Sequence, residues 1–152
     1  MLFAFLASLC PALDPALIEP PAFLMTSPER IDARFTRCGR GRGAACVVDG
    51  DTFKLGQRKI RIVGIDAPET HPALCPEEAR LGEASTAELM RLLNQGPFAM
   101  AGRIDDSQDR YGRDLRVVTR KRPDGTTQSI AEDMRASGLA RRYLGRKSSW
   151  CA

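Results

Sequence analysis

Three short stretches hold side chains of the types needed to handle a phosphate or a hard cation. Asp49 and Asp51 flank Gly50 in VVDGDTFKL, and Arg61, Asp66 and Glu69 follow in IRIVGIDAPET. Arg113 closes the turn in DRYGRDLRVV. Carboxylates gathered closely repel one another, and a divalent cation with oxygen ligands is the species that neutralises them. Guanidinium groups grip phosphate oxygens through paired hydrogen bonds, so two arginines aimed at one rim suit a phosphate. Taken singly, each acid has a plainer reading, because Asp-Gly and Asp-Ala-Pro are ordinary turn sequences. Their combination calls for more: Asp51 and Asp66 meet at one rim if adjacent antiparallel strands bring their ends together.

The pattern of apolar residues supplies such strands. Arg34 to Thr36 and Ala44 to Val48 read as strand pieces around CGRGRG, a basic turn without the Lys-Ser/Thr ending of a P-loop. Thr52 to Leu55 and Lys59 to Val63 alternate and are joined by Gly-Gln, a hairpin turn. In the second strand Ile60 and Ile62 share one face, with Lys59 and Arg61 on the other. PEEARLGEASTAELMRLLNQG then predicts the longest helix, with Ala79, Leu81, Ala84, Ala87, Met90 and Leu93 as its apolar stripe. Glu77 and Glu78 suit its positive N-terminal end, and Gly96 closes it. Phe98 to Ile104 and Leu115 to Thr119 are two more strands, and RPDGTT is a tight turn. Ser129 caps a shorter helix, Ile130 to Ser137, which Gly138 stops. Short strands with two helices predict an α+β domain, and a five-stranded barrel carrying helices is the natural candidate.

The 152 residues suffice for one domain and a tail. Charge is uneven along them. The first 28 residues hold two acids and no Lys or Arg, and the rest carry all 23 basic residues against 17 acids. That surplus favours a polyanionic partner. Leu2 to Leu9 is an apolar run of signal-peptide length, too short to cross a bilayer as a helix, though it lacks a basic segment before it. Five of the ten prolines follow within residues 11–28. We therefore read 1–33 as an apolar leader and proline-rich linker, and 34–152 as the folded domain, exported and without stable membrane association once the leader is removed.

The only histidine is His71 and no Cys-x-x-Cys occurs, so a zinc site has few possible ligands. A catalytic Cys75–His71 pair lacks a third, orienting group. Cys38, Cys46, Cys75 and Cys151 fit two disulfides in an oxidising compartment, with Cys10 left in the leader. Three connectivities are open to them, and free thiols are the alternative. Cys38–Cys46 with Cys75–Cys151 is preferred, because the first pair brackets a short turn and the second ties the tail to the loop after Glu69.

In their order and separation, VVDGDTFKL, IRIVGIDAPET and DRYGRDLRVV resemble the staphylococcal nuclease (thermonuclease) family, and SGLARRY resembles its later helix-end segment. The likeness spans roughly residues 44–144. It implies an OB-fold barrel with appended helices and calcium-dependent hydrolysis of DNA or RNA, with the 5′ P–O bond broken and a 3′-phosphate left. Carried over by position, Asp51 and Asp66 match the calcium carboxylates and Ala67 the residue that offers a backbone carbonyl. Glu69 matches the general base, and Arg61 and Arg113 the arginines on the phosphate. Asp49 matches an acid beside the metal but not a direct ligand. Tyr111 matches a residue near the nucleotide pocket, and Tyr143 fits a tyrosine-bearing segment with a one-residue offset. The resemblance implies a monomer acting on nucleic acid. An inactive OB-fold binding module is the competing reading, but such modules typically lose the acids or arginines that are all present here. A plain domain with solvated rim charges leaves the match at every position unexplained.

Overall fold

The computed structural model describes residues 22–39 and 44–152. Within them the chain runs β1 (Glu29–Ile31), β2 (Thr36–Arg37), β3 (Ala45–Asp49), β4 (Thr52–Leu55), β5 (Arg58–Ile62) and β6 (Ile65–Asp66). Helix α1 (Pro76–Leu93) follows, then β7 (Phe98–Ala101), β8 (Asp114–Lys121), β9 (Thr127–Ser129), α2 (Ile130–Ala136) and β10 (Arg141–Arg142). The main sheet has the order β1-β7-β8-β5-β4-β3-β2, with β9 on β8, and β10 pairs with β6 separately. This mixed, curled sheet with its two helices is an α+β OB-fold. Its five longer strands, β3, β4, β5, β7 and β8, are those the alternation predicts.

The hairpin β4–β5 turns at Gly56-Gln57, where φ of +58° at Gly56 is a left-handed conformation open to glycine. Ile60 and Ile62 are fully buried. They join Val47, Phe53, Met100 and Val118 in the core, closed from the helices by Leu89, Leu92, Leu93, Ile130 and Met134. Phe35, Phe53 and Phe98 meet with ring centroids 5.5–6.1 Å apart. β5 and β8 run parallel, with Ile60 opposite Asp114 and Arg61 opposite Leu115. That pairing sets the turn bearing Arg113 beside the strand bearing Arg61.

Helix α1 buries a different face from the one its apolar residues predict. Glu78, Gly82, Ser85, Thr86, Leu89, Leu92 and Leu93 point inward, while Ala84 and Ala87 are exposed and Ala79, Leu81 and Met90 half-buried. Small residues win the N-terminal half because the helix lies so close to the loops below it. A Cβ on Gly82 would stand 2.7 Å from the Glu69 carbonyl oxygen, and one on Gly50 would meet Ser85 Oγ and the Ala67 methyl. The hydroxyls that this buries are satisfied internally: Ser85 donates to the Leu139 carbonyl and Thr86 to that of Gly82. At the far end, Arg120 of β8 donates to the carbonyls of Leu92 and Gly96, so a cation meets the helix C-terminus.

Four short strands fall outside the predicted elements, and two of them, β6 and β10, pair with each other. β1 pairs antiparallel with β7 and lies within residues 1–33, and Met25 bridges to Arg103. β9 precedes α2 directly, so Ser129 both ends a strand and caps the helix, accepting from Glu132 N. The apolar run Leu2 to Leu9, Cys10, and Arg40 to Gly43 of the basic turn lie outside the described residues. No helix among the described residues is long and apolar enough to cross a membrane.

Candidate active site

The turn Asp49-Gly50-Asp51 links β3 to β4, and a β-bulge between Val47 and Asp49 redirects the end of β3 just before it. Asp51 and Asp66 are 2% and 4% exposed, and Arg61 is 6% exposed beside them. The Arg61 guanidinium pairs with Asp51 Oδ1 at 2.8 Å and reaches Asp66 Oδ1 at 3.6 Å. It also donates to the Ile65 carbonyl. Arg61 shares a strand face with Lys59, yet Lys59 is exposed and Arg61 is buried, because the rim acids draw it inward. Asp51 is fully engaged, accepting from Thr52 Oγ1 at 2.8 Å and from Ala67 N at 3.0 Å.

This is a crowded set of negative charges. Burial, and then the neighbouring Asp51 carboxylate, push the Asp49 carboxyl up to about 8. Burial also raises Asp66, which Lys147 opposes and Asp51 reinforces. Burial alone would lower Arg61, but Asp51 and Asp66 outweigh it and hold the guanidinium above its ordinary value. Asp66 Oδ1 is buried without a hydrogen-bond partner. A buried carboxylate oxygen without a hydrogen bond is costly, and the Arg61 guanidinium at 3.6 Å and the Lys147 ammonium at 3.5 Å offset part of that cost. Among the described residues no three acids, histidines or cysteines converge at ligating distance. Asp51 and Asp66 are oxygen donors of the type that a hard cation takes.

Glu69 sits at the edge of this cluster, with its side chain 38% exposed. Its loop is held from below by Glu78, which is 3% exposed and accepts from Leu74 N at 2.6 Å, with Glu69 N at a long 3.5 Å. Glu78 thus does more than complement the helix dipole: its carboxylate fixes the loop. Arg113 stands immediately before β8. Its Nε donates to Asp109 at 2.6 Å, and its two terminal nitrogens have no partner among the described residues. Tyr111 is exposed, with the Arg110 and Arg113 guanidinium groups 4.9 Å and 5.3 Å from its ring centre. Tyr143 lies 5.5 Å from Arg61 Cζ. β10, paired Arg141 to Asp66, carries it there.

Lys147 was missed altogether. Its ammonium lies 2.6 Å from Glu69 Oε1 and 3.5 Å from Asp66 Oδ1. No nearby motif marked it, and its neighbours in sequence say nothing of a partner 78 residues away. The disulfides Cys38–Cys46 and Cys75–Cys151 are both formed, which fits an oxidising environment. The second disposes of a Cys75–His71 nucleophile, because Cys75 is bonded to Cys151 and caps α1.

A family model described as staphylococcal nuclease homologue matches residues 59–150. The matched span contains Arg61, Asp66, Glu69, Arg113 and Lys147, and begins in β5, so that Asp49 and Asp51 lie outside it. No curated protein matches the chain.

Proposed function

The chain belongs to the staphylococcal nuclease homologue family, and from that premise we propose that it is a calcium-dependent endonuclease cleaving phosphodiester bonds of DNA or RNA. The observation that supports this reading is the buried Asp51–Arg61–Asp66 cluster, in which Asp66 Oδ1 accepts no hydrogen bond from the described residues, set beside a partly exposed Glu69. Asp51, Asp66 and the Ala67 carbonyl would hold the cation. Bound there, calcium supplies positive charge against the developing phosphorane oxygens.

The remaining work belongs to the side chains. A phosphodiester repels nucleophiles, and its transition state concentrates charge on equatorial oxygens. Arg61, fixed in direction by Asp51 and the Ile65 carbonyl, meets that charge with little reorganisation, usually the largest catalytic contribution. Arg113, anchored through Nε alone, keeps both terminal nitrogens for a second phosphate oxygen. Glu69 takes a proton from the attacking water, and its half-exposed position leaves room for that water. Tyr111 offers an exposed ring to a sugar or base, and Tyr143 packs on Arg61.

The test is cleavage of plasmid or oligonucleotide with Ca²⁺ and with chelator, for the native chain and for Glu69→Ala. The variant is expected to lose about 10²–10⁴ in turnover, the span ascribed to positioned proton transfer, and to keep its affinity for an oligonucleotide. Robust cleavage by the variant, or undiminished cleavage in chelator, overturns the assignment.

A further inference from the structure

The segment after β10 is fastened over the carboxylate cluster at both ends. At one end β10 pairs with β6, and Tyr143 N donates to the Gly64 carbonyl. At the other, Cys151 is bonded to Cys75 at the start of α1. Arg141 closes the span on itself, donating to the Ser149 carbonyl and covering the buried Trp150 ring at 3.7 Å. Residues 143–149 form an exposed strap between these anchors. Tyr143 at its start lies against Arg61, and further along Lys147 returns to the cluster, where it meets Glu69 and Asp66. Its neighbour Arg146 is exposed and has no such contact.

We propose that Lys147 is a functional residue of this site: a resident counter-cation, delivered by the disulfide-anchored strap, that a metal ion must displace from Asp66 before loading. The inference rests on the cation site proposed above. An ammonium 3.5 Å from Asp66 Oδ1 partly neutralises a buried carboxylate oxygen that accepts no hydrogen bond from the described residues. A dication at Asp66 repels that ammonium, and the two compete. Lys147 is half exposed, with 53% of its side chain accessible, so it leaves without breaking the core. Once displaced it carries its charge to the mouth of the site. Reduction of Cys75–Cys151 frees one end of the strap and lowers the local concentration of the ammonium at Asp66.

The test is calorimetric titration of the full chain with Ca²⁺ alone. Lys147→Met should tighten binding roughly two- to tenfold, as expected for a half-exposed ion pair reaching a buried carboxylate. Arg146→Met removes an equal charge from the same strap and should change affinity less than about twofold. Cys151→Ser should tighten binding as Lys147→Met does, and the double variant should gain little more, because both act through one ammonium. Emission of Trp150, the only tryptophan, reports whether the strap has lifted in Cys151→Ser. Unchanged or weaker binding in Lys147→Met overturns the proposal. Unchanged affinity in Cys151→Ser, with Trp150 emission red-shifted, overturns the role of the disulfide. Absence of any calcium binding by the native chain overturns the cation site itself, a separate result from binding that ignores Lys147.

Discussion

Arg61→Met separates the structural from the chemical role of the arginine. The side chain is 6% exposed, and removing it strips Asp51 of its cation at 2.8 Å and leaves Lys147 as the cation beside Asp66. Met fills much of the same volume, so the loss is chiefly one of charge. Breaking a buried pair by deleting one partner costs about 3–5 kcal/mol, because the remaining carboxylate stays buried and uncompensated. Against a total stability of about 5–15 kcal/mol, that is a large fraction. Thr52 Oγ1 and Ala67 N still donate to Asp51, which favours the lower end. The assay is urea unfolding at neutral pH, with and without Ca²⁺. A saturating cation that binds only the folded state should return about 2.7 kcal/mol at one hundred times its dissociation constant. Turnover should stay low in the calcium-loaded variant, since the phosphate loses its directed donor. The reasoning is refuted by a stability change below about 1 kcal/mol, or by calcium failing to restore any of the loss.

Three further outcomes follow from single contacts. Gly82→Ala should destabilise by about 1–3 kcal/mol and cut cleavage, because the new methyl forces the Glu69 carbonyl away from 2.7 Å; thermal melting and turnover check both. For Asp114, burial would raise the carboxyl, but Gln108, Arg58 and Arg116 hold it below its usual value. Its stabilisation is therefore present above about pH 4, the unfolded value, and is lost as pH falls through the lower folded value. Asp114→Asn should be less stable than the native chain at pH 6 and should converge with it in acid, measured by urea unfolding. Deleting residues 1–30 removes most of β1 and leaves the β7 edge unpaired. Lower thermal stability with retained cleavage is expected, and unchanged melting would show that β1 adds nothing.

The site was legible where its residues sit close together in sequence. Asp49 and Asp51 bracket one turn, and Asp66, Ala67 and Glu69 follow β5, so the pairing of adjacent strands brings the two stretches together, and the family resemblance supplies the roles expected of them. Arg61 was legible in identity but not in burial, because period two assigns a face and not the acids that draw a cation into it. The inward face of α1 escaped for a related reason. Counting apolar residues favours Leu81 over Gly82, whereas close approach to the Glu69 loop rewards the residue with no side chain. Glu78 and Lys147 were invisible because their partners are loop amides and distant carboxylates, which no local pattern encodes. β1 was hidden by proline-rich surroundings and has three residues, too few to alternate convincingly.

The parallel pairing of β5 with β8 has a consequence for the order of folding. β3, β4 and β5 are successive strands joined by short turns, and closing small loops is fast and entropically light. The β5–β8 ladder and the β6–β10 pair instead join segments far apart in the chain, and non-local contacts of this kind form slowly. Asp51 and Arg61 belong to the early meander. Arg113, Tyr143 and Lys147 arrive only with the late ladders. A partly folded chain can thus hold the meander and still lack the site.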